Sequence, residues 1–364
     1  MSPRLLRRKN AAIQFNVMVC GFEGVGKTSF IRTFCQALNL SSDNSGASRE
    51  QIVPQANEMD PNYISMEMGS DNGDEEKRGR DGEEHSEKMD KIGGLSEIIR
   101  GMMVEDYPEP TKTFQVNEFD VNEEGERIHL RFIDTPGLVN DYRLDHQILE
   151  LVRYVESQFD TTLAEETKIR RNPKAFDAQV HVCLFLINPQ NRGISESEAR
   201  AINKLGKRVN ILPVVAKADT LTIAQSNLIK SCIREQVYEL PVFRFETNAS
   251  DEEDIATDEW ADPELEEENR ELLQLYPFSI ISAESATNMG RRYAWGFVNC
   301  LDPSHCDFTV VRAVLLVSHR QLLRDMTYRV YYERYRTEKL LARKASLEMS
   351  EEQKQRLLEN LNSL

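Results

Sequence analysis

Three short segments of this chain have residue types and spacings that do chemistry together. The first is Gly21-Phe22-Glu23-Gly24-Val25-Gly26-Lys27-Thr28, which fits G-x-x-x-x-G-K-[ST]. Gly21, Gly24 and Gly26 let backbone N–H groups turn inward around phosphate oxygens, with Val25 and Ser29 in the same cradle. Lys27 supplies a positive charge to the β- and γ-phosphates, and Thr28 offers a hydroxyl to Mg²⁺. A helix beginning there would add its positive end.

The second is Asp134-Thr135-Pro136-Gly137. At the end of a strand, Asp134 would face a nucleotide crevice and hold Mg²⁺ through water, and the Gly137 N–H would meet the γ-phosphate. The same tetrapeptide is also good turn chemistry with no ligand at all. The third is Ala216-Lys217-Ala218-Asp219. The carboxylate of Asp219 can accept from both the N1–H and the exocyclic amine of guanine, while the Lys217 stem packs over the base. Adenine offers an acceptor at N1 and would be rejected. A phosphate cradle alone does not choose between ATP and GTP; the order of the three segments favours GTP or GDP.

These residues need strand ends to hold them. Ile13 to Cys20 reads as a buried strand and Thr28 to Leu38 as a helix. Phe114 to Val121 and Ile128 to Ile133 read as strands joined at Gly125, and Asp145 to Glu165 as a helix. Val180 to Ile187 is a mostly apolar run suited to a central parallel strand. A helix at Glu196 to Leu205, a strand at Ile211 to Val215, a helix at Ile223 to Tyr238 and a strand at Phe278 to Ile281 follow. Alternation of this kind predicts an α/β fold: a three-layer αβα P-loop domain with a mostly parallel sheet.

Composition bounds the rest. The chain has 364 residues, is 40% hydrophobic and carries a formal net charge of −16, which argues against a nucleic-acid binder. Eleven acidic residues and no Lys or Arg fall within positions 251–268, read here as an acidic loop. Positions 41–107 are polar and poor in aromatics, which predicts a disordered insertion, with one short helix allowed at Leu95 to Met103. The six cysteines fit no zinc spacing and are expected to be buried thiols. With no apolar leader and no span-length apolar run, a soluble cytoplasmic protein is expected.

Beyond the minimal nucleotide fold, the residues resemble a known family. Ala216-Lys217-Ala218-Asp219-Thr220-Leu221-Thr222 looks like a septin sequence, as do Ile13 to Val19 and Lys168-Ile169-Arg170-Arg171-Asn172-Pro173. So does Gly290 to Leu340, with Tyr293, Trp295-Gly296, His305-Cys306-Asp307-Phe308 and Tyr332-Glu333-Arg334-Tyr335-Arg336. The resemblance implies a septin-type GTPase domain over 13–340, with 290–340 as a septin-specific C-terminal element. It implies hetero-oligomers with other septins, polymerising into filaments at the cell cortex or division septum. By position it places Arg291 beside the base, Ser282 in the last guanine loop, and Thr113 as the switch threonine of Mg²⁺ and hydrolysis, with Lys27. The second glycine that septins carry after D-T-P-G is replaced, since Leu138 and Val139 follow Gly137. Arg192 stands for a histidine, and Gln225 for a glutamate, that reach a neighbouring subunit. These departures predict slow hydrolysis.

Several readings stay open at this level. A switch-type signalling GTPase is the alternative to a filament subunit. The basic start, Arg4, Arg7, Arg8 and Lys9 within segment 1–12, is either a solvated terminus or a contact for anionic phospholipid. The tail, 341–364, is either a solvated helix or a short coiled coil. Trp295 either fills the core or anchors an interface.

Overall fold

A computed structural model describes residues 12–44, 57–58, 111–123, 125–168, 176–245, 263–284 and 288–348. The chain divides into two compact units, Met1–Asn57 with Pro110–Leu364, and Glu58–Glu109. The expectations for Arg4 to Lys9, for the short helix at Leu95 to Met103, for most of 41–107 and for the end of the tail lie outside the described residues.

In the first unit the strands are β1 (Ile13–Gly21), β2 (Gln115–Glu123), β3 (Glu126–Asp134), β4 (Val182–Ile187), β5 (Asn210–Val215) and β6 (Phe278–Ser279). Leaving aside the two-residue strand Asn57–Glu58, which straddles the unit boundary, the sheet order is β2-β3-β1-β4-β5-β6. β1 pairs in parallel with β3 and β4, and the parallel run continues through β5 to β6. The mostly parallel α/β sheet predicted from the sequence is therefore present.

Every residue of β4 and β5 is buried, which explains their near-continuous apolar character. Two buried amides, Asn16 in β1 and Asn210 at the start of β5, interrupt the apolar strands. Asn16 donates to the carbonyls of Asp177 (2.8 Å) and Gln179 (2.6 Å), and Asn210 to those of His181 (2.8 Å) and Leu323 (3.0 Å). Both stitch connecting segments to strand ends, satisfying donors that would otherwise cost free energy in the core.

The helices are α1 (Lys27–Asn44), α2 (Leu144–Glu166), α3 (Glu196–Leu205), α4 (Ile223–Val237) and α5 (Pro263–Leu275). The sequence pattern ended the first of these at Leu38; it continues to Asn44. The acidic run read as a loop includes the start of α5, which opens on Pro263, a favoured first helical residue. The strand expected over Phe278 to Ile281 is confined to Phe278–Ser279.

The C-terminal element joins this core. A hairpin of β7 (Gly290–Tyr293) and β8 (Gly296–Asn299) leads to a helical run: α6 (Phe308–Ala313), α7 (Arg320–Met326) and α8 (Glu333–Glu348), joined by wide turns at Val314–Ser318 and Thr327–Tyr332. The run starts against α1, where Phe308 meets Phe34 and Phe30 edge-on. It crosses the starting end of β5 at Leu323 and Thr327, and ends against α2, where Tyr332 and Tyr335 pack on Phe159. Arg208 ties Glu156 of α2 (2.8 Å) to Glu338 of α8 (2.7 Å). His319, fully buried between α6 and α7, donates through Nε2 to the Asn269 side chain (2.7 Å). Burial pushes its pKa down to about 4, so it stays neutral.

Candidate functional site

Because β1, β3, β4 and β5 are parallel, their C-terminal ends lie along one edge of the sheet. The three chemical segments leave from those ends. Gly21 ends β1, Asp134 ends β3, and Ala216 follows β5.

The turn after β1 keeps the glycines where the backbone demands them. Gly24 and Gly26 have φ of 73° and 104°, in the region L side chains avoid. Lys27 opens α1 with its side chain curled back over the loop, donating to the carbonyls of Gly21 and Phe22, both at 3.2 Å. Burial lowers its pKa, while Asp134, Cys20 and Glu23 pull the other way. Val25 is buried, and the Ser29 carbonyl in the first turn of α1 accepts from Thr33 (2.7 Å).

Thr28 and Asp134 meet. Thr28 Oγ1 donates to Asp134 Oδ2 at 2.6 Å, and Thr111 Oγ1 donates to the same oxygen at 3.2 Å. Asp134 Oδ1 is buried with no hydrogen-bond partner among the described residues. Burial raises the Asp134 pKa, against the donation from Thr28 and the charge of Lys27. Hydroxyl and carboxylate oxygens are the donor set that suits Mg²⁺, which keeps much of its coordination as water and phosphate oxygen. The orphaned Oδ1 shows that the carboxylate has capacity left for a further partner.

Here the structure differs from the threonine inferred by resemblance. Thr113 is exposed, and Thr111, two residues earlier, has its hydroxyl at Asp134 and Thr28 (3.2 Å). The sequence offers both threonines within Pro110-Thr111-Lys112-Thr113, and only the path of the chain into β2 separates them.

Gly137 closes the phosphate end. A Cβ there would lie 2.8 Å from Cα of Glu23, so only glycine allows this approach to the cradle. Beyond it, Leu138 donates its N–H to the Gly21 carbonyl (3.2 Å) and accepts from the Glu23 N–H (2.9 Å). Its side chain is buried. The residue after Gly137 is thus an apolar plug bridged to the cradle, with no polar group to orient a water.

At the other end, Lys217 adopts a left-handed conformation, φ 52° and ψ 43°, that turns the chain after β5. Asp219 Oδ2 accepts from Arg291 Nη1 (3.3 Å) and from the Tyr293 hydroxyl. Arg291 Nε also donates to the Ser282 carbonyl (2.9 Å). Burial and the bond to Asp219 raise the Tyr293 pKa. Asp219 Oδ1 is buried with no partner among the described residues. One oxygen is therefore pinned by the β7 strand, and the other remains a free acceptor in a buried place, the feature a base bearing N–H donors fits. Sequence reasoning placed Arg291 and Ser282 here by resemblance but missed Tyr293 as a partner of Asp219.

Trp295 stacks on Tyr293, with centroids 5.1 Å apart and planes at 4°, yet 71% of its surface is exposed. That excludes the core reading. Arg192 is exposed on the loop after β4 in a left-handed conformation, φ 55°. Gln225 turns inward on its own helix. Its side chain accepts from the Thr222 N–H (2.9 Å) while Thr222 caps α4, so in this chain its carbonyl oxygen is engaged.

A cavity of about 640 Å³ lies at the opposite edge of the sheet, lined in part by Phe176, Asp177, His181, Arg324 and Tyr328. Its His181 is committed to the fold. Nδ1 accepts from the Asn16 N–H (2.9 Å) and Nε2 faces Asp177 (3.2 Å), with burial lowering the pKa. Gly21, Asp134 and Asp219 lie at the opposite strand ends, away from this cavity.

Comparison with known proteins agrees with the geometry. A family model described as Septin matches residues 98–349. Cell division control protein 11 of Saccharomyces cerevisiae is 37% identical over 229 residues, 60% of this chain and 53% of that protein. Septation protein 7 of Candida albicans is 29% identical over 380 residues, 93% of this chain and 50% of that protein. The chain thus spans about half the length of these two relatives. The crystal structure of a septin GTPase domain from Chlamydomonas reinhardtii covers 90% of this chain and is itself fully covered, at 19% identity and a TM-score of 0.55, a likeness of fold.

Proposed function

This chain belongs to the septin family, whose model spans more than half of it, and from that premise we propose that it binds GTP or GDP and serves as a subunit of hetero-oligomeric septin filaments. The observation that carries the nucleotide reading is the buried Oδ1 of Asp219, unpartnered among the described residues, on the same sheet edge as the Lys27 cradle. A carboxylate oxygen there accepts from guanine and repels the N1 lone pair of adenine.

The residues divide the work. The N–H groups of Gly24 to Ser29 and the Lys27 ammonium hold the phosphates; Lys217 and Arg291 flank the base, with Ser282 beside Arg291. Thr28 and, through water, Asp134 are positioned for Mg²⁺, which neutralises phosphate charge when bound. Thr111 takes the place first given to Thr113. Leu138 supplies no water-orienting group, so hydrolysis is slow, and the nucleotide serves chiefly to shape the contact faces. In a single-turnover assay of the isolated subunit, release of phosphate should fall well below the roughly 1 s⁻¹ of ordinary enzymes. Turnover at or above that rate would favour a signalling switch.

The assembly reading rests on Trp295, an exposed stacked aromatic beside Arg291 and Arg292, residue types enriched at interface hot spots. Trp295→Ala should leave thermal stability nearly unchanged and weaken association with partner septins by tenfold or more, read by co-purification and size-exclusion chromatography. Unchanged association would remove this face from the interface. A role in cell division or septation, at the cortex or septum, is supported by the names of the relatives. Among the described residues no helix is long and apolar enough to cross a membrane. Contact with anionic phospholipid through Arg4, Arg7, Arg8 and Lys9 remains part of the proposal.

A further inference from the structure

Glu23 is the one acidic residue between Gly21 and Thr28, and the mechanism above gives it no task. It is exposed, so it is not held there for packing. Its position is specific. A Cβ placed on Gly137 would come within 3.0 Å of the Glu23 Cβ, and the Glu23 N–H is bonded to Leu138. The side chain therefore leaves the cradle directly beside Gly137, in the segment that starts at Asp134. Its charge also reaches the Lys27 ammonium, where it favours the protonated form against burial.

Lys27, Asp134 and Gly137 together mark the end of the site that a third phosphate would enter. A diphosphate presents its charge deeper in the cradle; a triphosphate brings a further negative group next to Glu23. Resting on the nucleotide reading, we propose that Glu23 makes this site select the diphosphate over the triphosphate form of its guanine nucleotide. Repulsion between the carboxylate and the terminal phosphate would hold the subunit in one nucleotide state, without a hydrolytic cycle to change it.

The test compares wild type with Glu23→Gln, which keeps the shape and removes the charge on an exposed loop. Binding of GDP and of a non-hydrolysable GTP analogue is titrated with Mg²⁺ at low and high salt. Wild type should bind GDP more tightly than the analogue. Glu23→Gln should improve the analogue by roughly three- to tenfold relative to GDP, a gain that shrinks as salt rises. An unchanged ratio of the two affinities would overturn the inference. So would a ratio moved the other way, which would make Glu23 a support for the metal. If neither protein binds any guanine nucleotide, the nucleotide reading itself fails and this inference falls with it. A site that binds GDP but shows no effect of Glu23 rejects this inference alone.

Discussion

Replacing Asp219 by Asn should turn a guanine site into a xanthine site. Arg291 and Tyr293 both donate to Oδ2 of Asp219, so an amide at this position must place its oxygen there. Its NH₂ group then takes the place of the unpartnered Oδ1, and an acceptor facing the base becomes a donor. Guanine presents an amine at that edge and would meet it donor to donor. Xanthine presents a carbonyl and would be accepted. Loss of a charge-assisted contact is worth about 1.5–3 kcal/mol, so guanine nucleotide affinity should fall by roughly ten- to a hundredfold or more. Xanthine nucleotide should bind measurably where it did not before. Competition titrations against a fluorescent nucleotide read both changes. Asp219→Ala should lose guanine preference without gaining xanthine, which separates the swap from general damage to the pocket. Unchanged guanine affinity in both variants would mean that Asp219 does not read the base.

The second large effect concerns the C-terminal element. Phe308 is fully buried and touches Phe34 and Phe30 of α1, the helix that carries Lys27 and Thr28. Phe34 in turn packs edge-on against Phe132 of β3, 4.9 Å away. The element is thus continuous with the core that positions the phosphate cradle. Phe308→Ala should destabilise the fold by about 3–5 kcal/mol, read as a lower denaturant midpoint in the presence of excess nucleotide. A loss below about 1 kcal/mol would show that residues after 300 are an appended module.

Much of this was legible because phosphate and base chemistry admits few residue types. The cradle, Asp134, Gly137 and Asp219 each follow a strand that is apolar through most of its length, and the strands follow from that same apolarity. Other features follow from contacts that have no sequence period. Thr111 and Thr113 are equivalent in type, and only the entry of the chain into β2 puts the first at Asp134. The β7–β8 hairpin has strands of four residues, with an exposed Trp295 and Phe297 breaking the expected alternation. α5 hides in an acidic run because one narrow face suffices to dock it: Asn269 and Leu272 are buried while Glu271 and Leu273 are exposed. Leu340 and Leu341 of α8 are exposed.

The proposed ligand is a guanine nucleotide held by Asp219 and the Lys27 cradle. This is tested most directly by denaturing the purified protein and identifying the nucleotide it releases, with GDP, GTP, ADP and ATP then offered in competition to the native protein. A guanine nucleotide should be released, and displaced by GDP or GTP but not by ADP or ATP at the same concentration. Release of an adenine nucleotide, or equal displacement by the two bases, would contradict it.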